Sequence, residues 1–545
     1  MDKRHLDREF GPAPRRRAAG TRSTSPFVGR VHELSHLGEA LSLAAEGLGS
    51  MILLTGEPGI GKTRLAREAL ALANRRGFRV LEGRAYPLET GLAYAPFIDA
   101  FRPLLRSFDS ARLAALVSGL PELGRLLSDL PLPPLSFPEA LGDPALEKTR
   151  LFEAMLRLLE RLAQETPVAF FLDDMQWADP ATIDLLHHLV RGLADQPVLL
   201  LVAIGAHSLD TSLGLQALVV SLERDGLAEQ MVVPRLEPEL VDKLVRGILE
   251  GEPPGGLSTL LDARSGGRPL FVEALVGSLI DSGGLVVGDD GWRLDTEGAI
   301  TLPPTVRRLI LDRLGRLSVA DRPVLDLIAV LGDGSPYDIL RSASGKEEQA
   351  LFQALRHLRA AGLVAEGMEG PDVVYNITHP LIQEVIYAEL PEMERRHAHL
   401  AVIAAMESLL EGRPYDISRL AHHYHRAGRE ADFCRALTVL IAAGDRALSL
   451  YANEEAAQHY AAALAVLREG GGWRMEGGNG DASTLPRLLE RLGEAWERIG
   501  KRGAAVEVWN EALVLLSEKK QPEDLPDERV GAVPRLCRQL AYAEC

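Results

Sequence analysis

Five short apolar runs, separated by amphipathic stretches, mark the first 235 residues of this chain. Two of them, Met51–Thr55 and Val168–Leu172, are nearly continuous apolar runs, which is typical of strands buried on both faces of a parallel sheet. The others predict strands at Arg79–Leu81, Val198–Ile204 and Gln230–Val233. Because helical stretches separate the runs, the pattern predicts a doubly wound α/β domain with a parallel five-stranded sheet. A strand and a long helical region separate the first and third runs, so we expect these two strands not to be neighbours.

A glycine-rich loop joins the first strand to a helix predicted over Thr63–Asn74. Its glycines allow successive backbone N–H groups to point at phosphate oxygens, and the helix N-terminus adds positive charge. Within such a loop the lysine reaches the β- and γ-phosphates, and the threonine hydroxyl ligates Mg²⁺. The sequence therefore predicts a P-loop site for a nucleoside triphosphate. Its candidate binding residues are Gly56, Glu57, Pro58, Gly59, Ile60, Gly61, Lys62, Thr63 and Arg64.

Two aspartates follow the strand predicted at Val168–Leu172. We expect Asp173, at the strand end, to hold Mg²⁺ together with Thr63. Asp174 is placed to orient the attacking water and accept its proton, which makes it, with Lys62, a candidate catalytic residue. A solvated acidic turn is the alternative interpretation. Downstream, Asp179 followed by a proline predicts a helix that Asp179 caps.

The pattern changes beyond residue 235. Helices are predicted at Leu240–Ile248, Leu257–Ala263 and Leu270–Ile280, followed by a hairpin over 284–301 with Gly291 at its turn. Helical spacing then recurs near residues 306–317 and 325–331 and over Glu347–Ala361, and a hairpin is predicted over Leu363–Ile377. Three helices and a hairpin are the pattern of a winged helix. The expected divisions are a disordered basic arm (1–25), the P-loop domain (26–235), a helical lid with its hairpin (236–300), the winged-helix domain (301–391) and helical repeats (392–545).

The alanine-rich C-terminal region contains an internal repeat. Gly444, Ala456, Tyr460, Leu464 and Leu467 recur 49 residues later as Gly493, Ala505, Trp509, Leu513 and Leu516. This offset equals a ~34-residue helix-turn-helix unit plus the glycine-rich insert at 469–483, so tetratricopeptide-like repeats are predicted. Generic alanine-rich helices are the alternative. A helix predicted at 534–544 begins a further unit, which favours a chain that is part of a longer protein or truncated.

Composition narrows the function classes. The chain carries a net charge of −17, which argues against a large nucleic-acid footprint, because phosphate contacts need clustered cations. The basic segment 1–22 is the exception, and we expect a solvated tail there. The three cysteines, Cys434, Cys537 and Cys545, lie far apart, which fits a reducing cytoplasm better than a disulfide framework. No apolar run in the sequence reaches the ~20 residues needed to span a bilayer, so no membrane partner is expected.

From residue 26 to about 467, the order of motifs closely resembles the signal-transduction ATPases with numerous domains. The most similar members are the AAA+-like ATPase cores of large LuxR-type transcriptional regulators and of multidomain bacterial cyclases. The motifs that carry this resemblance are Phe27-Val28-Gly29-Arg30, the phosphate loop, Leu172–Asp179, Gly266–Glu273, Leu302–Val306 with Arg313-Leu314, and Thr378–Ile382. No effector domain of those proteins is visible in this sequence.

The resemblance adds residues that spacing alone does not supply. It implies that Val28 and Arg30 wrap the adenine, that Pro269 borders it from the lid, and that His379 contacts the β-phosphate of ADP. The sequence also departs from the family pattern. Ala206-His207 stands where the family usually has a tyrosine and a γ-phosphate-sensing arginine, and Arg268 stands where an asparagine is common. Because histidine is shorter than arginine and mostly neutral at pH 7, we expect His207 to be a weak catalytic substitute.

Together these features predict an ATP/ADP- and Mg²⁺-dependent signalling switch with slow hydrolysis. An unknown inducer or protein partner is expected on the C-terminal repeats, with ATP-dependent self-association. Two alternatives remain open: a constitutive ATP-hydrolysing remodeller, and a DNA-binding regulator that uses its winged helix.

Overall fold

The computed structural model describes residues 25–86, 93–127, 143–205, 213–281, 283–288, 291–294, 310–311, 314–315, 317–332, 334–369, 372–378, 380–409, 417–469 and 484–517. His207, His379, the helix predicted at 534–544 and the predicted basic arm, apart from Ser25, lie outside the described residues.

A parallel five-stranded sheet forms the core of the N-terminal part. Its strands are β1 (Ser50–Gly56), β2 (Arg79–Arg84), β3 (Val168–Asp173), β4 (Val198–Gly205) and β5 (Ala228–Val232), in the order β2-β3-β4-β1-β5. All five predicted strands are confirmed. As expected, β4 separates β3 from β1, and both flanking pairings of β4 are parallel.

Helices cover both faces of this sheet. They are α1 (Val31–Ala45), α2 (Lys62–Arg75), α3 (Ala95–Arg106), α4 (Ser110–Val117), α5 (Leu123–Leu126), α6 (Pro144–Glu165), α7 (Pro180–Gly192) and α8 (Leu213–Arg224). Alternate residues of β1 and β3 enter two different cores. Ile52 and Phe171 pack with α1 and α2, whereas Met51 and Phe170 pack with α3 and α6. Because both faces are covered, successive residues are apolar along Met51–Leu54 of β1 and Val168–Leu172 of β3.

The segment after the sheet is helical, with one small hairpin. Its elements are α9 (Pro238–Leu249), α10 (Leu257–Ser265), α11 (Pro269–Asp281), β6 (Leu285–Gly288) and β7 (Gly291–Leu294). The three predicted helices are present. Within the described residues, β6 and β7 form the predicted hairpin, and Gly291 pairs with Gly288 at the end of the hairpin where the turn is predicted.

A third group of elements combines helices with a three-stranded antiparallel sheet. These elements are α12 (Arg322–Leu331), β8 (Ser335–Pro336), α13 (Tyr337–Ser344), α14 (Glu348–Ala360), β9 (Val364–Glu369), β10 (Asp372–Ile377) and α15 (Pro380–Glu389). The predicted helix at 347–361 and the hairpin at 363–377 are both found. Sequence reasoning missed α13, a short helix in which Leu340 is the buried residue.

Six helices make up the described C-terminal region. They are α16 (Glu392–Leu409), α17 (Ile417–Ala427), α18 (Phe433–Ser449), α19 (Asn453–Glu469), α20 (Thr484–Arg498) and α21 (Arg502–Ser517). A Cβ atom on Gly444 would lie 2.5 Å from the Tyr460 ring, and one on Gly493 would lie 2.1 Å from Trp509 Nε1. The two helix pairs therefore pack through the same contact of a glycine with an aromatic ring, 49 residues apart as the repeat predicts.

One hydrophobic core joins the sheet domain to the third group of elements and to the C-terminal helices, whereas α9, α10 and α11 have a core of their own. A continuous cluster of buried side chains connects Phe97 and Phe101 of α3 with Ile328 of α12 and with Leu440 and Trp509 of the C-terminal helices. Among the described residues, none of the helices combines the length and apolarity needed to cross a bilayer.

Candidate functional site

The glycine-rich loop connects β1 to α2 as predicted. Gly59 and Gly61 have φ angles of 77° and 100°, a left-handed conformation that glycine adopts without steric cost. The ammonium of Lys62 donates hydrogen bonds to the carbonyl oxygens of Gly56, at 3.0 Å, and Glu57, at 3.2 Å. Burial lowers the pKa of Lys62, whereas the negative charges of Asp174 and Asp173 raise it. The lysine therefore lies inside the loop, facing the acidic end of β3.

Thr63 and Asp173 meet as the sequence predicts. The Thr63 hydroxyl donates a 2.9 Å hydrogen bond to Asp173 Oδ2. Burial, and then the neighbouring Asp174, raise the pKa of Asp173 to about 6, whereas Arg84 and the Thr63 hydrogen bond lower it. A hydroxyl and a carboxylate supply the hard oxygen atoms that Mg²⁺ prefers. The donor set therefore fits Mg²⁺ that is completed by phosphate and water oxygens.

Asp174 lies in a network that sequence reasoning did not anticipate. Its Oδ2 atom accepts hydrogen bonds from Arg84 Nη2, at 2.6 Å, and Nε, at 3.0 Å. Its Oδ1 atom accepts a 2.9 Å hydrogen bond from the Gln176 side chain, whose own oxygen accepts from the Gly205 N–H at 3.0 Å. Asp174 thereby connects the ends of β2, β3 and β4.

The segment before α1 closes one side of the loop. Arg30 is buried, has a φ of 61°, and donates to Glu33, at 3.1 Å, and to the Ile60 carbonyl, at 3.3 Å. Arg64 donates a 3.1 Å hydrogen bond to the Ser25 carbonyl. Val28 packs against the core formed by α9, α10 and α11. This segment therefore joins the loop to the helices that follow the sheet.

Helix α11 touches the phosphate loop directly. Leu270 donates its N–H to the Gly59 carbonyl at 3.3 Å, and a Cβ on Gly59 would lie 3.1 Å from the Leu270 side chain. Next to Pro269, the Arg268 guanidinium lies 3.8 Å from the centre of the Phe271 ring and 3.6 Å from Glu57 Oε2. Arg268, which stands where the family commonly has asparagine, therefore forms an ion pair with Glu57 of the phosphate loop.

All these parts border one cavity of about 560 Å³. Most of the predicted site residues line it: Val28, Arg30, Pro58, Gly59, Ile60, Gly61, Lys62, Thr63, Arg64, Asp174 and Pro269. Residues that were not predicted as site residues also line it, among them Arg84, Gln176, Trp177, Thr378 and Glu384. A cavity of this size and mixed lining suits a small phosphorylated ligand.

Two of the cavity residues that the sequence did not predict, Arg84 and Glu384, were missed for different reasons. Arg84 ends β2, at the same sheet edge as Asp173, so a search of every strand end would have found it. Glu384 lies on α15, about 320 residues after the phosphate loop, and reaches the cavity only through tertiary packing. Burial, and then the charge of Asp174, raise the pKa of Glu384, so the two carboxyl groups face the same space.

Residues 26–202 match the sequence profile of the AAA ATPase domain. The matched range contains the phosphate loop, Asp173 and Asp174. An AAA ATPase domain is a P-loop fold that binds nucleotide, typically with Mg²⁺. This part of the chain therefore resembles an AAA-type nucleotide-binding core.

Full-length comparisons find more distant relatives. An uncharacterised protein of Rhizobium meliloti (strain 1021) is 27% identical over 476 residues, which cover 81% of this chain and 43% of that protein. The chain thus spans less than half the length of this curated relative. Among solved structures, a signal-transduction ATPase with numerous domains and a tetratricopeptide repeat sensor from Pyrococcus horikoshii is 12% identical with a TM-score of 0.38, covering 98% of this chain and 82% of its own. A Walker-type ATPase of Pyrococcus abyssi is 15% identical with a TM-score of 0.31, covering 68% of this chain and 99% of its own.

Proposed function

We propose that this chain is a nucleotide-operated signalling switch that binds ATP and ADP with Mg²⁺ and hydrolyses ATP slowly. One observation carries the proposal: a single cavity is lined by the phosphate loop, by helix α11, and by two residues from the region of α15. These two are Glu384 on α15 and Thr378 just before it. A nucleotide bound there contacts three regions that are far apart in the chain. Its affinity therefore depends on how those regions are arranged, and a ligand that prefers one arrangement shifts the equilibrium toward it.

Different residues of the site bind the phosphates, the metal ion and the base of the nucleotide. The loop N–H groups and Lys62 hold the β- and γ-phosphates, and Thr63 with Asp173 holds Mg²⁺, which neutralises charge on the phosphates. Val28, Arg30 and Pro269 border the base. The resemblance assigns His379 to the β-phosphate of ADP, and its neighbour Thr378 supports this role by lining the cavity.

Slow hydrolysis follows from the surroundings of Asp174. A carboxylate that accepts a proton from water must be free to approach that water. Here both oxygen atoms of Asp174 accept hydrogen bonds from other side chains, Arg84 on one oxygen and Gln176 on the other. We propose that this pairing, together with His207 in place of an arginine, keeps turnover low, as suits a switch rather than a remodeller.

The proposal also assigns roles to the elements that follow the lid helices. The elements from α12 to α15 form a winged helix that clamps the nucleotide, and the C-terminal helices are tetratricopeptide-like repeats that receive an inducer or protein partner. ATP favours an open, self-associating state of a cytoplasmic regulator of transcription or signal transduction. The net charge of −17 favours action through a partner over direct DNA binding.

Nucleotide titration of Lys62→Ala tests the proposal. ATP–Mg²⁺ at about 100 times its Kd stabilises the parent by about 2.7 kcal/mol and raises its melting temperature, and we expect no such shift in the variant. Lys243→Ala on the exposed side of α9 is the matched control and keeps the parental shift. Equal shifts in parent and Lys62→Ala contradict the site. Sedimentation of the parent with ADP and with ATP tests the switch by comparing the size of the protein in the two nucleotides. The same size in both, together with fast ATP turnover, favours the alternative function, a constitutive ATP-hydrolysing remodeller.

A further inference from the structure

A second polar cluster lies where the C-terminal helices meet the AAA domain. Tyr94, fully buried at the start of α3, donates its hydroxyl to the Leu450 carbonyl at 2.9 Å. The Arg125 guanidinium donates a 2.7 Å hydrogen bond to the Tyr451 hydroxyl, which in turn contacts Glu147. Tyr94 and Tyr451 both have left-handed backbones, with φ angles of 63° and 60°. Such strain persists only where the surroundings impose it, so this contact is specific.

Two acidic side chains are buried together at this contact. Asp179 is 9% exposed and Glu455 is 1% exposed. Asp179 caps α7 and accepts hydrogen bonds from the Thr182 N–H, at 2.9 Å, and from the Thr182 hydroxyl. Neither carboxyl oxygen of Glu455 receives a hydrogen bond from a donor group of the described residues. The Asp179 carboxyl lies close enough for its negative charge to act on Glu455, so the two carboxyl groups are neighbours.

A carboxyl–carboxyl hydrogen bond requires a proton on one partner, because two ionised carboxylates have no donor and repel each other. Burial raises the pKa of Glu455 well above its ordinary value, and the charges of Asp179 and Glu454 raise it further. Burial also raises the pKa of Asp179, but its hydrogen bonds from Thr182 lower it. The proton therefore belongs on Glu455. Asp184 and the hydroxyls of Tyr94 and Tyr451 are the other titratable groups of this cluster.

We propose that protonated Glu455 donates a hydrogen bond to Asp179 and that this shared proton latches the C-terminal helices onto the AAA domain. The latch is a property of the contact between the two regions and does not depend on the nucleotide site.

The sign of the pH dependence follows from the raised pKa of Glu455. The docked state binds one proton more than the open state, so docking is strongest below the ordinary glutamate pKa of 4.5 and weakens as pH rises toward the docked pKa. For one proton, the opening constant increases about tenfold per pH unit across this window.

Hydrogen-exchange mass spectrometry of the full chain tests the latch, with labelling times scaled at each pH to the intrinsic exchange rate. Peptides from α3 and from the start of α19 report on the contact. We expect their opening constant to rise about tenfold per pH unit in the parent. Glu455→Gln, a neutral isostere that still donates, removes this dependence and keeps the peptides protected. Glu454→Gln makes the same charge change on the exposed neighbour and behaves like the parent.

A second variant separates the latch from a general loss of structure. Asp179→Asn retains a side-chain oxygen that caps α7, since asparagine caps helices as well as aspartate does, and it removes the repulsion. The pH dependence therefore weakens in this variant, and the part that remains is due to the burial of Glu455, which is the largest cause of its raised pKa. A pH-independent parent, a parental slope in Glu455→Gln, loss of protection in Glu455→Gln at every pH, or loss of the slope in Glu454→Gln each overturns the proposal.

Discussion

Replacing Arg84 by glutamine is the most informative perturbation of the candidate site. Under the proposed function, Asp174 accepts a proton from the attacking water only after leaving the Arg84 guanidinium, to which it is bound at 2.6 and 3.0 Å. Arg84→Gln removes that partner and keeps a side chain of similar reach. We expect the variant to hydrolyse ATP faster than the parent at saturating ATP.

The magnitude follows from the geometry. The two side chains are 22% and 15% exposed, so the pair is partly shielded from water and differs from a solvated surface ion pair. A hydrogen bond to a charged group contributes about 1.5–3 kcal/mol. If breaking the pair is part of the barrier, its removal speeds the chemical step by roughly 10- to 150-fold.

Single-turnover hydrolysis of ATP measures the chemical step without product release. Arg67→Gln is the control, because Arg67 also lines the cavity but lies 3.7 Å from Glu82 and is 61% exposed. Its rate should equal that of the parent. Adding Asp174→Asn to Arg84→Gln should abolish the gain. A rate for Arg84→Gln at or below the parental value, with ATP still bound, refutes the idea that Arg84 restrains Asp174.

Two further predictions concern the C-terminal helices. Gly493→Ala places a methyl group against Trp509 and should lower the free energy of unfolding, because overpacking costs about 1–3 kcal/mol against a gain of about 1 kcal/mol in helix propensity. The control Gly503→Ala has open space around it and should be neutral or stabilising by up to about 1 kcal/mol in denaturant titrations. Equal effects of the two substitutions contradict the repeat packing. Burial lowers the pKa of His399 to about 3, and that of His422 and His423 well below 6.5. These buried neutral histidines therefore contribute to the free energy of unfolding above pH 6.5, and the contribution is lost as pH falls toward their lowered pKa values. The melting temperature should fall from pH 7.5 to 5.5 in the parent and fall less in His399→Gln.

The sheet and the phosphate loop were predictable because their signals are local. An apolar run such as Val168–Leu172 has few alternatives to a buried strand, and a glycine-rich loop between strand and helix constrains the backbone by its own residues. The position of Asp179 as a helix cap was predictable for the same reason, and its 2.9 Å hydrogen bond with the Thr182 N–H bears it out.

The partners of those residues were not predictable, because they come from distant parts of the chain. Glu384 reaches the nucleotide cavity and Glu455 reaches Asp179 through packing that no local pattern encodes. On the sequence alone, Glu455 is one of two adjacent glutamates at the start of an amphipathic helix, and solvent is the expected environment for both. Burial of one and exposure of the other depends on where the whole helix docks.

The strand order also has a consequence for how the chain is made. Strand β1 is an interior strand of the sheet, and its neighbours are β4 and β5: Ser50 pairs with Leu199, and Thr55 with Val232. Roughly 150 further residues must leave the ribosome before β1 has any strand to pair with, which at ~5–20 residues per second takes on the order of 10–30 s. Throughout that interval an apolar strand is synthesised but unpaired, a state that favours aggregation. The nascent N-terminal domain is therefore a natural client for chaperones that shield apolar segments during translation.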